Sequence, residues 1–215
     1  MKDIAIYGAG GFGREIACFL NTINKHEPMW NLIGFFDDKP NLKDSFVSHF
    51  APCLGGIEEL NAYPKELALV VSTGKPKSIK SIVEKITNPN IFFPNLIHPD
   101  VVICDPETFS IGKGNIIQTG CYFSTNVSVG DFNVFNGRNT YGHDTKVGRY
   151  NVFMPSVLIS GGVTIGNCNL LGVGSIVIQK ISIGDGVTLG AGSVLLTKPK
   201  AEGTYIGNPA KLFKF

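Results

Sequence analysis

Every sixth residue from Ile111 onward is apolar: Ile111, Ile117, Phe123, Val129, Phe135, Tyr141, Val147, Phe153, Ile159, Ile165, Leu171, Val177, Ile183, Leu189 and Leu195. The phase never slips. The alternative is an ordinary sheet with coincidental spacing, and fifteen matches in phase argue against it. A fixed short repeat means a solenoid whose neighbouring repeats bury one another, and a six-residue period means a β-helix. Glycine often follows the apolar position, as at Gly112, Gly130, Gly148, Gly166, Gly172, Gly184 and Gly190. Four places after it stand mostly small residues or asparagine: Asn115, Cys121, Val127, Asn133, Asn139, Thr145 and Asn151.

Ahead of the repeat the pattern is that of alternating strands and helices. "IAIY" (4–7), "LIGFF" (32–36), "LALVVS" (67–72) and "IFFP" (91–94) read as short buried strands. Between them, Ile16, Phe19, Leu20 and Ile23 are spaced for a helix, and so is "PKSIKSIVEKI" (76–86). Strand–helix alternation predicts a parallel α/β sheet. The expected organisation is a Rossmann-like half-domain over 1–98 and a β-helix over 99–215.

The turn after the first strand, "YGAGGFG", sets Gly8, Gly10 and Gly13 in the spacing G-x-G-x-x-G. Glycine lets the backbone approach phosphate closely, and the helix that follows offers its N-terminus to an anion. Asp37 and Asp38 end the second strand, where a carboxylate can accept hydrogen bonds from a ribose or a base. Gly74, after the third strand, reaches the same edge. A dinucleotide fold needs two mononucleotide halves, and only about four strands precede the repeat. Half a site suits a nucleotide carrying something small, such as a nucleotide sugar. An NAD-like ligand and a purely structural loop are the alternatives.

Composition excludes several classes. With 43% hydrophobic residues over 215 positions the chain can bury a core. A net charge of +2, with no block of Lys or Arg, does not predict nucleic-acid binding. No apolar stretch approaches the ~20 residues of a membrane helix, and "MKDIAIYGAGG" lacks the features of a signal peptide. Five cysteines, widely spaced and without C-x-x-C, predict reduced thiols in a cytoplasm rather than disulfides or zinc.

The hexapeptide run resembles the left-handed β-helix acyltransferases, in which three hexapeptides make one triangular coil. That resemblance implies nearly five coils over 111–195 and trimers built by face packing. The tail "GTYIGNPAKLFKF" resembles the end of the same superfamily. With three hexapeptides to a coil, Gly161 stacks above His143, the one histidine of the repeat, and Gly162 above Asp144. A glycine over an imidazole leaves a backbone N–H uncovered beside a base, an arrangement suited to acyl transfer. A three-histidine metal site is not available. Neighbouring residues on a strand face opposite ways, so Asp144 meets His143 only at a corner or through a neighbouring subunit.

Taken in order, "YGAGGFG…FFDD", the hexapeptides, "GHDTKVG" and "GNPAK" resemble the sialic-acid O-acetyltransferase and nucleotide-amino-sugar N-acetyltransferase family (the NeuD/PglD type), over essentially the whole chain. The resemblance implies a homotrimer with acetyl-CoA between coils of adjacent subunits and no metal. It implies His143 as base and Asp144 as the acid that raises its basicity. It further implies that Gly11, Phe12, Gly13, Asp37, Asp38 and Gly74 hold the nucleotide, that Asn136 faces the sugar, and that acetyl-CoA contacts backbone near Gly161, Val173 and Ala191. Phe12 and Val152 stand where some members have histidine. The expected reaction is acetyl transfer from acetyl-CoA to the amino group of a nucleotide-linked sugar. O-acetylation of a sugar such as sialic acid and a non-catalytic trimeric nucleotide-binding scaffold are the alternatives.

Overall fold

Apolar runs near the N-terminus pair side by side. In chain order they give β1 (Lys2–Tyr7), α1 (Gly11–His26), β2 (Trp30–Phe36), the short pair β3 (Phe46–Val47) and β4 (Ala51–Pro52), α2 (Ile57–Asn61), β5 (Leu67–Val71), α3 (Pro76–Lys85) and β6 (Ile91–Phe92). The sheet order is β2-β1-β5-β6, parallel throughout. β5 is buried along its whole length, as a strand covered on both faces must be. α1 buries Ile16, Ala17, Phe19, Leu20 and Ile23 on one side. It ends in Lys25 and His26, which complement the negative end of its dipole. From β1 the chain winds one way to β2 and the other way to β5, so the glycine turn lies at the topological switch point, where open α/β sheets bind ligands. The sequence pattern lacks only β3, β4 and α2, which are too short to show a period.

The computed structural model describes residues 1–214. It separates into one unit of Met1–Gly74 with Ser78–His98 and a second of Lys75–Lys77 with the chain from Pro99 onward. Among the described residues no helix is long and apolar enough to cross a membrane.

The second unit is a three-sided parallel β-solenoid of two-residue strands. Face one holds 116–117, 134–135, 152–153, 170–171 and 188–189, face two 122–123, 140–141, 158–159, 176–177 and 194–195, and face three 110–111, 128–129, 146–147, 164–165 and 182–183. Each strand pairs with the one a coil later, as Phe123 with Tyr141 and Phe135 with Phe153. Every repeat residue is buried except Ile111, which is half-buried. Rings stack at one-coil intervals, Phe123 on Tyr141 and Phe135 on Phe153, both 5.0 Å between centroids.

One corner carries a ladder of fully buried asparagines: Asn115, Asn133, Asn151 and Asn169. The Oδ1 of each accepts the backbone N–H and the side-chain amide of the next, at 2.9 and 3.1 Å for Asn133 on Asn115 and 2.9 Å for both on the Asn133–Asn151 rung. A buried amide is tolerable only when its hydrogen bonds are made, and the one-coil spacing makes them here.

The solenoid has about six turns, where the unbroken repeat predicts nearly five. Val102–Ile103 already pairs with Tyr122–Phe123, a wider offset than the single coil that separates the later partners. The two extra residues lie between Ile103 and Ser110 and throw the first turn out of phase. At the far end Thr204–Ile206 adds to face one, and Lys211–Phe213 folds back antiparallel upon it. That turn covers the end of face one, as a terminal repeat must.

Candidate active site

His143 and Asp144 stand where the chain leaves face two. Asp144 has φ +59°, a left-handed conformation that aspartate tolerates better than most residues. This corner turns its carboxylate back on the preceding side chain. His143 Nδ1 and Asp144 Oδ2 are 2.7 Å apart, so the pair forms within one chain and needs no neighbouring subunit. The other carboxylate oxygen, Oδ1, accepts from Asn126 Nδ2 at 2.6 Å. The His143 bond first, and the Asn126 bond second, hold the Asp144 carboxyl below the usual carboxylate range. Asp144 is therefore ionised at neutral pH. Both side chains of the pair remain more than half exposed.

Gly161 lies one coil above. A Cβ at this position would fall on Nε2 of His143 and come within 2.7 Å of Cε1 and 2.9 Å of Cδ2. The imidazole thus occupies the space that any other residue at 161 would take. Gly162 donates its N–H to the His143 carbonyl at 2.7 Å, which fixes the coil spacing at this corner. The expected stacking of Gly161 and Gly162 over His143 and Asp144 is what the coil contains.

Below the pair, Asp144 N–H donates to Thr125 O at 3.1 Å. Thr125 Oγ1 and Thr108 Oγ1 both donate to Asp105 Oδ2, at 2.8 and 2.7 Å. Those bonds, Thr108 first, keep the Asp105 carboxyl low. Asn126 N–H donates to Thr108 Oγ1 at 2.8 Å.

Val173 and Ala191 occupy a different corner, between faces one and two; both are exposed, Val173 at 47%. Asn136 lies at the end of face one, half-buried, with Nδ2 donating to Phe153 O at 2.8 Å and Oδ1 accepting from Gln118 at 3.3 Å. The two corners flank face two, so one chain does not bring Val173 and Ala191 to His143.

In the first unit the glycine turn is built as its spacing requires. Gly8 has φ +114°, and a Cβ on Gly13 would collide with the Gly8 carbonyl. Ser72 Oγ bonds the Tyr7 and Gly8 carbonyls, each at 3.0 Å. Gly10, Gly11 and Gly74 are exposed and have open space where a side chain would be or, at Gly11, only an arginine tip at 4.0 Å. Phe12 is half-buried. Asp37 Oδ2 accepts from Ala9 N–H at 2.9 Å, tying β2 to the turn. Asp38 Oδ1 accepts from Tyr7 Oη at 2.7 Å and Ile57 N–H at 3.0 Å. Burial, then the bond to Asp38, pushes the Tyr7 phenol far up. Beyond the carboxylates opens a cavity of about 330 Å³ lined by Asp37, Asp38, Lys39, Gly55, Gly56 and Ile57 among others.

Sequence reasoning missed Tyr7, Ser72 and Asn126. Only Asn126 carries a readable signal: it precedes Asp144 by one coil, the same offset that stacks Gly161 on His143.

Fold and site together define a Rossmann-like half-domain followed in the chain by a hexapeptide-repeat solenoid, with a histidine–aspartate pair on one solenoid corner. Residues 3–86 match the family model of the PglD N-terminal domain. The whole chain is similar to the acetyltransferase domain of PglB from Neisseria gonorrhoeae FA1090, at 26% identity and a TM-score of 0.87, covering 99% of this chain and 100% of that one. It shares its fold with PerB from Caulobacter crescentus, solved with CoA and GDP-perosamine (24% identity, 100% and 98% covered, TM-score 0.86). WeeI from Acinetobacter baumannii AYE has the fold too (21% identity, 99% and 100% covered, TM-score 0.85). No curated protein matches the sequence.

Proposed function

We propose that the protein transfers the acetyl group of acetyl-CoA to the amino group of a nucleotide-linked amino sugar. The observation that carries this reading is the His143 corner: Nδ1 engaged by Asp144 at 2.7 Å, Nε2 facing the bare backbone of Gly161. An ionised Asp144 accepts a hydrogen bond from Nδ1–H, which leaves the lone pair on Nε2. The sugar amine attacks the thioester carbonyl carbon, and Nε2 takes the proton the nitrogen sheds. The negative charge gathers on the carbonyl oxygen, for which the Gly161 N–H is the donor within reach of the imidazole. As the oxygen reforms its double bond the C–S bond breaks, and the imidazolium returns its proton to the coenzyme thiolate. No covalent acyl-enzyme is needed.

The nucleotide belongs at the switch point of the first unit. Exposed glycines 10, 11 and 74 admit phosphates to the N-terminus of α1, Phe12 and Gly13 shape that approach, and Asp37 and Asp38 face the nucleoside. Asn136 is assigned to the sugar. Acetyl-CoA would run past Gly161, Val173 and Ala191. Since Val173 and Ala191 flank face two on its other side, an extended coenzyme can meet both sets only along a boundary between chains, which supports a homotrimer. Face two also exposes Val102, Tyr122 and Leu158, while face three points Ser110, Ser128, Lys146, Thr164 and Ser182 outward. Apolar surface of that kind favours a protein partner. A relative solved with CoA and GDP-perosamine supports the same class of substrates. The cytoplasm, where five free thiols stay reduced, is the compartment assigned.

The test is thiol release from acetyl-CoA against UDP-, GDP- and dTDP-linked amino sugars and free sialic acid, with His143→Ala beside the unmodified chain. Turnover of one nucleotide amino sugar, lower by at least ~100-fold in the variant, is expected. Acetylation of sialic acid alone, or turnover indifferent to His143, would refute the reading.

A further inference from the structure

Asn126 connects the histidine–aspartate pair to the first, out-of-phase turn of the solenoid. We infer that Asn126 is a positioning residue for acetyl transfer: it fixes the Asp144 carboxylate so that one oxygen alone is presented to His143. The inference rests on the reading of His143 as base.

A carboxylate on a solvent-facing corner can rotate about its terminal bond, and either oxygen, or neither, can meet the imidazole. Asp144 is more than half exposed, so packing does not hold it. Two directional bonds do: Asn126 Nδ2 to Oδ1 at 2.6 Å and His143 to Oδ2 at 2.7 Å. With Oδ1 occupied, Oδ2 keeps the Nδ1–H tautomer of His143, and Nε2 stays free under Gly161. An amide nitrogen can only donate, so this bond also selects the ionised carboxylate.

Asn126 is itself held. It has φ +55°, which asparagine adopts more readily than other non-glycine residues, and its N–H is bound by Thr108 Oγ1. Thr108 donates in turn to Asp105, which also receives Thr125 from directly beneath His143. Asp105 and Thr108 belong to the stretch between Ile103 and Ser110 that breaks the hexapeptide phase. The irregular turn thus supplies the seat of the residue that aims Asp144. Charged groups around the corner are Lys146 on the same coil, Asp105 below and Lys180, whose stem packs over Gly162 from above. Among the described residues none of the three has a hydrogen bond to either member of the pair.

Two variants separate positioning from corner architecture. Asn126→Gly keeps the left-handed backbone at no steric cost and removes only the amide. Asn126→Asp keeps the shape but turns the donor into a second carboxylate. For Asn126→Gly, kcat should fall about 10-fold, with KM for acetyl-CoA within twofold and Tm within a few degrees. For Asn126→Asp, the fall should be at least as large, and the acidic limb of the kcat/KM profile should move to higher pH, since a second anion favours the charged imidazole. An unchanged kcat in Asn126→Gly overturns the inference. So does a loss of kcat that follows a fall in Tm while the Asn126→Asp profile keeps its limb, which would leave Asn126 a corner residue and nothing more. His143→Ala in parallel keeps the two claims apart: an active His143→Ala sinks the base assignment, whereas an inactive one beside a normal Asn126→Gly sinks only the role of Asn126.

Discussion

Gly161→Ala isolates the contact on which the proposed chemistry turns. The backbone at 161 is not in the left-handed region, so alanine adds a methyl group and no torsional strain. That methyl would stand 2.7 Å from Cε1 and 2.9 Å from Cδ2 of His143, and closer still to Nε2. Ordinary contact begins at ~3.4 Å, so the ring must retreat by about 1 Å. It can do so, because its side chain is 64% exposed. Stability should therefore fall by less than about 1 kcal/mol. Catalysis should not escape so lightly: a displacement of about 1 Å costs on the order of 100-fold, or about 2.7 kcal/mol of transition-state stabilisation, and the methyl also covers the N–H meant for the oxyanion. Gly162→Ala supplies the opposite pattern. Its φ is +69°, so alanine there costs about 1–2 kcal/mol of backbone strain, while the nearest atom of its surroundings, Lys180 Cγ at 3.4 Å, leaves His143 untouched. Thiol release from acetyl-CoA and thermal unfolding, measured on both variants, give two numbers each. Activity lost at 161 and stability lost at 162 is the expected cross. A Gly161→Ala enzyme that turns over normally would refute the geometry.

Two other side chains give outcomes as direct. Asp144→Asn keeps the left-handed corner but abolishes the ionised partner of His143, and turnover should drop by as much as ~10⁴-fold, the scale for losing a carboxylate that fixes a histidine tautomer. Because the folded carboxyl is held below its unfolded value, its contribution to stability is complete above the unfolded value of ~3.9 and fades as pH falls through the folded one; the difference between the two chains in urea unfolding should shrink as the pH is lowered from about 5 into acid. Tyr141 is fully buried in the solenoid core and its hydroxyl has no hydrogen-bond partner among the described residues. Tyr141→Phe removes an unpaired polar group and keeps the ring stack on Phe123, so it should raise stability by about 1 kcal/mol; a fall in Tm would show that the hydroxyl is satisfied after all.

What can be read in advance depends on whether spacing alone carries the information. A residue such as Phe135 has no choice once the period is six, since any slip turns it from core to surface, and its burial is legible from its neighbours at 129 and 141. The stacking of Gly161 on His143 needs only one thing more, the length of a coil as three hexapeptides. The same length pairs Asn126 with Asp144, but a contact between two polar corner residues leaves no apolar trace to draw attention to it. The first turn escapes for a different reason: two additional residues after Ile103 destroy the phase while strand pairing absorbs them as a wider corner, so the hydrogen bonds of Val102–Ile103 survive where the pattern does not. Tyr7 and Ser72 escape because they touch Asp38 and Gly8 from strands distant in sequence, a proximity that follows from strand order β2-β1-β5 and from no local motif. The residues that period and motif disclose are those that make the scaffold and the proposed base. Those that contact Asp144 and Asp38 from other coils and strands are set by the third dimension, and it is at Asn126 and Tyr7 that differences in rate and substrate preference between chains of this fold should be sought.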